Sequence, residues 1–296
     1  MAVAGAAPVE KLFTSTSPGR AVAERFVAGD TLDQAIAVAR QLNQEGFLVS
    51  LDLLGEEVHD RDSALAANKE YLESLDRIRD EGLDANISVK PTQLGLAIDE
   101  RLAMDAISEL GARAGEVGTT VTIDMESSRY TEATVRLFER GQEASGNFGV
   151  ALQAALRRTP ADLERLIPLG GHIRLCKGAY VEPEELALQS SSGIDAAFAR
   201  QLRTLMEAES TIPAVATHDS DLIELAVDLA GRRRGPFELQ MLYGVRRDLQ
   251  RRLISEGHPL RIYLPFGSQW YPYLTRRLAE RPANALFLAR ALFSRD

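Results

Sequence analysis

The chain has 296 residues, 45% hydrophobic and 26% charged, enough for one large domain with a sizeable core. A formal net charge of -9 argues against general nucleic-acid binding, and a lone cysteine, Cys176, excludes an internal disulfide and fits a reducing cytoplasm. No apolar run approaches the roughly 18 residues of a membrane span, and the opening MAVAGAAPVEKLF has neither the basic start nor the long apolar stretch of a signal peptide.

Residues 1–19, rich in Ala, Ser, Thr and Pro, read as loose. Asp30 or Thr31 can cap a helix that runs to a glycine stop at Gly46. An alternation then sets in. FLVSLDL (47–53) reads as a buried strand, followed by a helix near 60–81. NISVK (86–90) is the second strand, with a helix over 99–114. TVTIDM (120–125) is the third, with a helix over 131–142. FGVALQ (148–153) precedes a helix over 160–167, and HIRLCK (172–177) precedes one over 195–208. PAVATH (213–218) leads to a helix over 220–230, and FELQML (237–242) to one over 245–256. RIYL (261–264), a Pro-Phe-Gly turn and a helix over 269–280 close the series. Short apolar runs without alternation suit strands buried on both faces. Eight strand–helix units over about 250 residues is the (β/α)8 barrel count. The expected organisation is an N-terminal extension over 1–45 and a barrel over 46–296. A doubly wound sheet is the runner-up, but no G-x-G-x-x-G turn follows the first strand.

In such a barrel the chemistry gathers where strands end. The first strand ends at Asp52 with Glu56 beyond it, the second at Lys90, and the third at Asp124 and Glu126. The fourth ends at Gln153. The fifth carries Arg174 and Lys177, then Gly178, Ala179 and Tyr180. The sixth ends at Thr217, His218 and Asp219, the seventh at Gln240 and Leu242, and the eighth at Tyr263. On the last helix Tyr273 lies three and four residues before Arg276 and Arg277, so one face can present phenol and guanidinium together. A solvated basic helix is the plain alternative. Aromatic residues crowd this stretch, however, as in small-molecule sites. The cations predict a mouth that receives a carboxylate, phosphates or both. His218 is equally readable as a structural hydrogen-bonding group, and Asp124 as a partner for an arginine. Scattered histidines give no metal spacing, no G-x-S-x-G elbow occurs, and Cys176 reads as packed. Arg232–Arg234 and Arg246, Arg247, Arg251 and Arg252 read as a solvated face, with an anionic membrane surface as the alternative.

DLLGE (52–56), SVKPTQLG (88–95), TIDMES (122–127), IRLCKGAY (173–180), ATHD (216–219), FELQMLYG (237–244) and RIYLPFGSQWYPYLTRRLAE (261–280), in this order, resemble proline dehydrogenase over roughly residues 45–290. The likeness is to the short monofunctional bacterial type, and IRLCKGAY with YLTRRLAE is its most specific part. The resemblance implies a distorted (β/α)8 barrel that holds FAD without a covalent bond. It implies oxidation of L-proline to Δ1-pyrroline-5-carboxylate by hydride transfer to flavin N5, the first step of proline catabolism. Electrons would pass to a membrane quinone, with a cytoplasmic enzyme touching the inner face of the membrane at its periphery.

By the same resemblance, Arg276, Arg277 and Lys90 would grip the substrate carboxylate. Tyr263, Tyr273 and Leu242 would pack the ring, Asp124 would orient the basic cluster, and Glu56 would pair with Arg276 to close the site. Arg174 would lie near flavin N5. Lys177, Gly178, Ala179 and Tyr180 would line the flavin with Gln153, Thr217, His218 and Gln240. One departure stands out. The family often has a basic residue a few positions before the acid that corresponds to Asp195. Here Ser190, Ser191, Ser192, Gly193 and Ile194 precede it, so a hydroxyl or backbone N–H would meet the cofactor phosphates. Two other readings of the residues are a Schiff-base lyase using Lys90 or Lys177, and a barrel that senses an amino acid or flavin without turnover.

Overall fold

A computed structural model of the chain describes residues 23–280, and for residues 276–280 the backbone alone; the expectation for residues 1–19 lies outside them. Helix α1 (Leu32–Gln44) starts at Thr31. Thr31 Oγ1 accepts the Gln34 amide at 3.4 Å while Gln34 Oε1 accepts the Thr31 amide at 3.1 Å, so two amides without helical partners are satisfied reciprocally. There follow β1 (Leu48–Leu53), α2 (Arg61–Glu81), β2 (Ala85–Val89), α3 (Glu100–Val117), β3 (Val121–Ile123), α4 (Thr131–Ser145) and β4 (Phe148–Gln153). The second half comprises α5 (Thr159–Leu166), β5 (His172–Cys176), α6 (Ser191–Glu207), β6 (Ile212–Ala216), α7 (Ser220–Ala230), β7 (Glu238–Leu242), α8 (Arg247–Ser255), β8 (Leu260–Phe266) and α9 (Trp270–Glu280). The strands pair in parallel in chain order, and β8 returns to β1 to close the barrel.

Several boundaries shift by a few residues, and two of the shifts have a clear local cause. Helix α6 begins at Ser191 instead of residue 195, because Ser190 Oγ accepts the Gly193 amide at 3.2 Å and caps the helix early. Strand β8 continues through Pro265 and Phe266, where a turn was expected. Pairing with β7 ends at Leu242 opposite Tyr263, so the missing Pro265 N–H leaves no ladder bond unmade on that side.

The strands also alternate, contrary to the expectation of uniformly apolar runs. Val49, Leu51, Ile87, Val89, Ile123, Val150, Leu175, Met241 and Ile262 join one buried cluster with Ile36, Leu75, Ile107, Leu110, Phe138 and Leu202 of the helices. The intervening positions carry Ser50, Asp52, Ser88, Arg174, Glu238, Gln240, Arg261 and Tyr263, most of them bonded to one another across the lumen. Barrel interiors are usually filled by branched apolar side chains. This one is polar, which is tolerable because its groups find partners.

Helix α1 belongs to the same core. It packs on β1 and β8 and contributes Ala35, Ile36 and Ala39. It thus covers the seam that the helix after β8 covers in a regular barrel. Helix α9 instead packs Trp270, Tyr271, Tyr273 and Leu274 with Phe26, Val27 and Leu54. This exchange is the barrel's distortion, and it brings Tyr273 to the cavity at the strand ends. Among the described residues, no helix is long and apolar enough to cross a membrane.

Candidate active site

A cavity of about 660 Å³ lies at the C-terminal ends of the strands. Its lining includes Glu56, Lys90, Asp124, Arg174, Lys177, Gly178, Ala179, Tyr180, Thr217, His218, Gln240, Leu242, Tyr263 and Tyr273. Residues far apart in sequence therefore meet because nearly all lie in the second half of a strand or just after it; Tyr273 comes instead from α9. Gln153 does not line it. Buried behind the wall, Gln153 donates from Nε2 to the Glu126 carbonyl at 2.8 Å. Arg276 and Arg277 lie on α9, but their side chains fall outside the described residues.

The floor is a charge lattice. The Arg174 guanidinium is held on three sides: Nε donates to Gln240 Oε1 at 2.6 Å, one terminal nitrogen to Ser88 Oγ at 2.9 Å, and the other to Asp124. The second Asp124 oxygen accepts the Tyr263 hydroxyl at 2.6 Å, and the guanidinium lies 5.1 Å from the Tyr263 ring centre. Burial and the Asp124 and Asp52 carboxylates push the Tyr263 pKa well above the ordinary value, so this group is a phenol donor. Beside them the Lys90 ammonium donates to Asp52. Burial works against the Lys90 charge, but Asp52 and Asp124 more than compensate and raise its pKa. Burial and Asp124 raise the Asp52 carboxyl to about 6, with Lys90 opposing.

At the rim, Lys177 bridges Asp219 at 2.9 Å and Asp195. Burial opposes its charge, and both carboxylates raise its pKa. Asp219 also caps α7 by accepting the Asp221 and Leu222 amides at 3.1 and 3.4 Å. Gly178 has φ 117°, and a Cβ there would come within 3.0 Å of Gln153 Oε1, so this wall needs glycine. His218 Nε2 accepts the Leu242 amide at 3.2 Å, which ties the ends of β6 and β7 together at the cavity. The structural reading of His218 is thus observed, at a position that also lines the cavity. Cys176 also lines the cavity; burial pushes its thiol up to about 11.

The expected surplus of cation is not found among the described residues. Lys90, Arg174 and Lys177 each have carboxylate partners, because a buried cation without one would cost several kcal/mol, on the order of a lost ion pair. In the sequence Asp52, Glu126 and Asp219 stand out only as strand ends, and Ser88, Glu238 and Arg261 have no assigned part. Polar residues at every second position of β1, β2, β5, β7 and β8 were the available signal. Glu126 buttresses the Lys90 turn by accepting the Thr92 amide at 2.9 Å and its hydroxyl at 2.5 Å. Two of the clustered arginines are occupied with the fold: Arg233 donates to the carbonyls of Leu205, Met206, Ala208 and Thr211, and Arg246 to that of His218.

The family model described as proline dehydrogenase matches residues 35–290. Proline dehydrogenase 2 of Bacillus subtilis (strain 168) is 36% identical, over 92% of this chain and 91% of its own length. Proline dehydrogenase of Deinococcus radiodurans is 33% identical, over 92% of this chain and 90% of its own. Among solved structures, proline utilization A (PutA) from Bdellovibrio bacteriovorus inactivated by N-propargylglycine has a similar fold, with a TM-score of 0.83 at 23% identity. That likeness covers 93% of this chain and 34% of that one. With the family model spanning most of the chain and such relatives along nearly its whole length, the chain belongs to the proline dehydrogenase family.

Proposed function

We propose that the chain oxidises L-proline to Δ1-pyrroline-5-carboxylate as a monofunctional proline dehydrogenase of proline catabolism, using FAD and delivering electrons to a quinone. Family membership supports the substrate. The observation that carries the site reading is the Arg174 guanidinium, held by Asp124, Gln240 and Ser88 in the floor of a glycine-lined cavity. These residues suit a flavin: a fixed cation can favour reduced-flavin charge, and Gly178, with φ 117° and packed against Gln153, offers the cavity a backbone wall that a ring can approach closely. Arg174, Lys177, Gly178, Ala179, Tyr180, Thr217, His218 and Gln240 would hold it, with Gln153 supporting the wall from behind and Ser191 lining the cavity at the start of α6. When bound, FAD supplies the hydride acceptor at N5 and the route for two electrons onward.

The chain's own residues bind and orient. Lys90, Arg276 and Arg277 would grip the substrate carboxylate, with Glu56 closing on Arg276. Leu242, Tyr263 and Tyr273 would pack the ring and exclude water. Asp124 fixes both Arg174 and Tyr263, so one carboxylate sets the geometry of the cofactor side and the substrate side together. Peripheral membrane contact gains little support from the arginine clusters, since Arg233 and Arg246 are engaged with carbonyls.

The test is an absorbance spectrum of the FAD-loaded protein before and after L-proline under anaerobic conditions. Flavin bands that bleach with proline are expected. Bands that proline leaves unchanged would remove the substrate. Arg276→Met and Arg277→Met should each weaken proline binding by about 2–5 kcal/mol while FAD stays bound; unchanged proline affinity in both would remove the carboxylate grip.

A further inference from the structure

Below the cavity floor the barrel lumen contains a further buried ion pair, neither member of which lines the cavity. Arg261 Nε and a terminal nitrogen donate to the two oxygens of Glu238 at 2.8 and 2.9 Å, and its other terminal nitrogen donates to the Val49 carbonyl at 2.8 Å. Glu238 is 5% and Arg261 9% exposed. Glu238 Oε1 also accepts Gln240 Nε2 at 2.6 Å, and Gln240 Oε1 accepts Arg174 Nε at 2.6 Å. A glutamine between a carboxylate and a guanidinium has only one amide orientation, nitrogen toward the anion and oxygen toward the cation. The Arg261–Glu238 pair therefore anchors the nitrogen end of the amide whose oxygen holds Arg174.

Stability alone does not account for such a pair. Apolar residues of similar volume generally serve a buried site as well as an ion pair or better, and are the usual filling of a barrel. What apolar residues cannot do is fix an amide two residues along the same strand. We propose that Glu238, backed by Arg261, is a positioning residue for Arg174, acting through Gln240 from beneath the site. This rests on the reading of Arg174 as a cofactor-side residue of a proline dehydrogenase.

The double variant Glu238→Leu/Arg261→Met replaces the pair with apolar groups, and Glu238→Gln is the conservative single change. The first measurement needs no cofactor: exchange of the Arg174 Nε proton by nitrogen-15 NMR, assigned with Arg174→Lys. Exchange should speed up about tenfold or more in a variant that retains the wild-type circular dichroism. The second uses the FAD-loaded protein: the limiting rate of flavin reduction by proline should fall about tenfold or more, with KM for proline moving less than about threefold. Should the double variant fail to fold, Glu238→Gln gives the same two readouts. A folded variant with Arg174 exchange and reduction rate as in wild type overturns the proposal. Faster exchange with wild-type reduction also overturns it, by showing that the hold on Arg174 does not matter to the reaction. Absence of flavin reduction in the wild-type protein would instead overturn the functional reading on which it rests.

Discussion

Replacing Asp52 by leucine should destabilise the fold by about 3–5 kcal/mol, because it leaves the Lys90 ammonium buried without its partner. Asp52 is 1% and Lys90 6% exposed, so water from the cavity can replace the pairing only in small part. Asp124, the other nearby carboxylate, is already bonded to Arg174 and Tyr263. The pair is not itself a large net gain. Burial and Asp124 hold the Asp52 carboxyl at about 6 despite the attraction of Lys90. A rise of about two units corresponds to about 3 kcal/mol against the ionised form. Removing both partners should therefore cost much less than removing one, and Asp52→Leu/Lys90→Met should recover at least half of the loss. Denaturant unfolding of the wild type, both single variants and the double variant measures this as a coupling of about 2 kcal/mol or more. The raised carboxyl pKa also sets a sign with pH. The carboxyl's contribution to stability is fully present below its unfolded value of about 4 and is lost as pH rises through about 6. The Asp52→Leu variant should lack that component. If Asp52→Leu unfolds at the wild-type midpoint, or if the two single losses simply add, the floor is not built around this pair.

Three further outcomes test other parts of the structure. Cys176, with its thiol pushed up to about 11 by burial, should have only about one molecule in a thousand as thiolate at pH 8, so its alkylation by iodoacetamide should be far slower than that of an unstrained peptide thiol. Equal rates would refute the raised thiol pKa. Burial lowers the His172 pKa, with Glu238 opposing; stability from this group is present above the unfolded value of about 6.5 and is lost as pH falls through the folded value. Thermal scans across that range should show a shallower acid loss for His172→Asn, and an unchanged slope would rule the group out. Arg233→Ala should lower stability by about 1–3 kcal/mol, since it removes donors from the carbonyls at the end of α6 and the start of β6. A midpoint within error of wild type would return Arg233 to the solvated face first assigned to it.

Much of this protein was legible in one dimension. A cap such as Thr31 and the rhythm of apolar runs fix where helices and strands begin, because they act through bonds between neighbours in the chain. Eight such units predict a closed barrel, and the barrel in turn predicts that strand-end residues converge; Lys90, Asp124, Arg174, Gln240 and Tyr263 do. The local errors have local causes, as at Ser190, whose hydroxyl starts α6 before its apolar pattern does.

What the chain alone could not state is pairing across the lumen. Lys90 and Asp52 are 38 residues apart, and Arg174 and Gln240 are 66 apart. Nothing in either strand says which inward side chain opposes which until closure sets the register of β1 against β2 and β8. Among the described residues, the neutralisation of Lys90, Arg174 and Lys177 was hidden for the same reason, since a residue's charge is written in its type but its partner depends on distance. The exchange of α1 for α9 at the β8–β1 seam was equally hidden, because an amphipathic helix specifies that it must be covered and not by what. Sequence thus determined the elements and the list of candidate groups. Tertiary closure decided which of them share a proton, a hydrogen bond or a wall, because those interactions fall off within a few ångströms and only the closed barrel brings the groups that near.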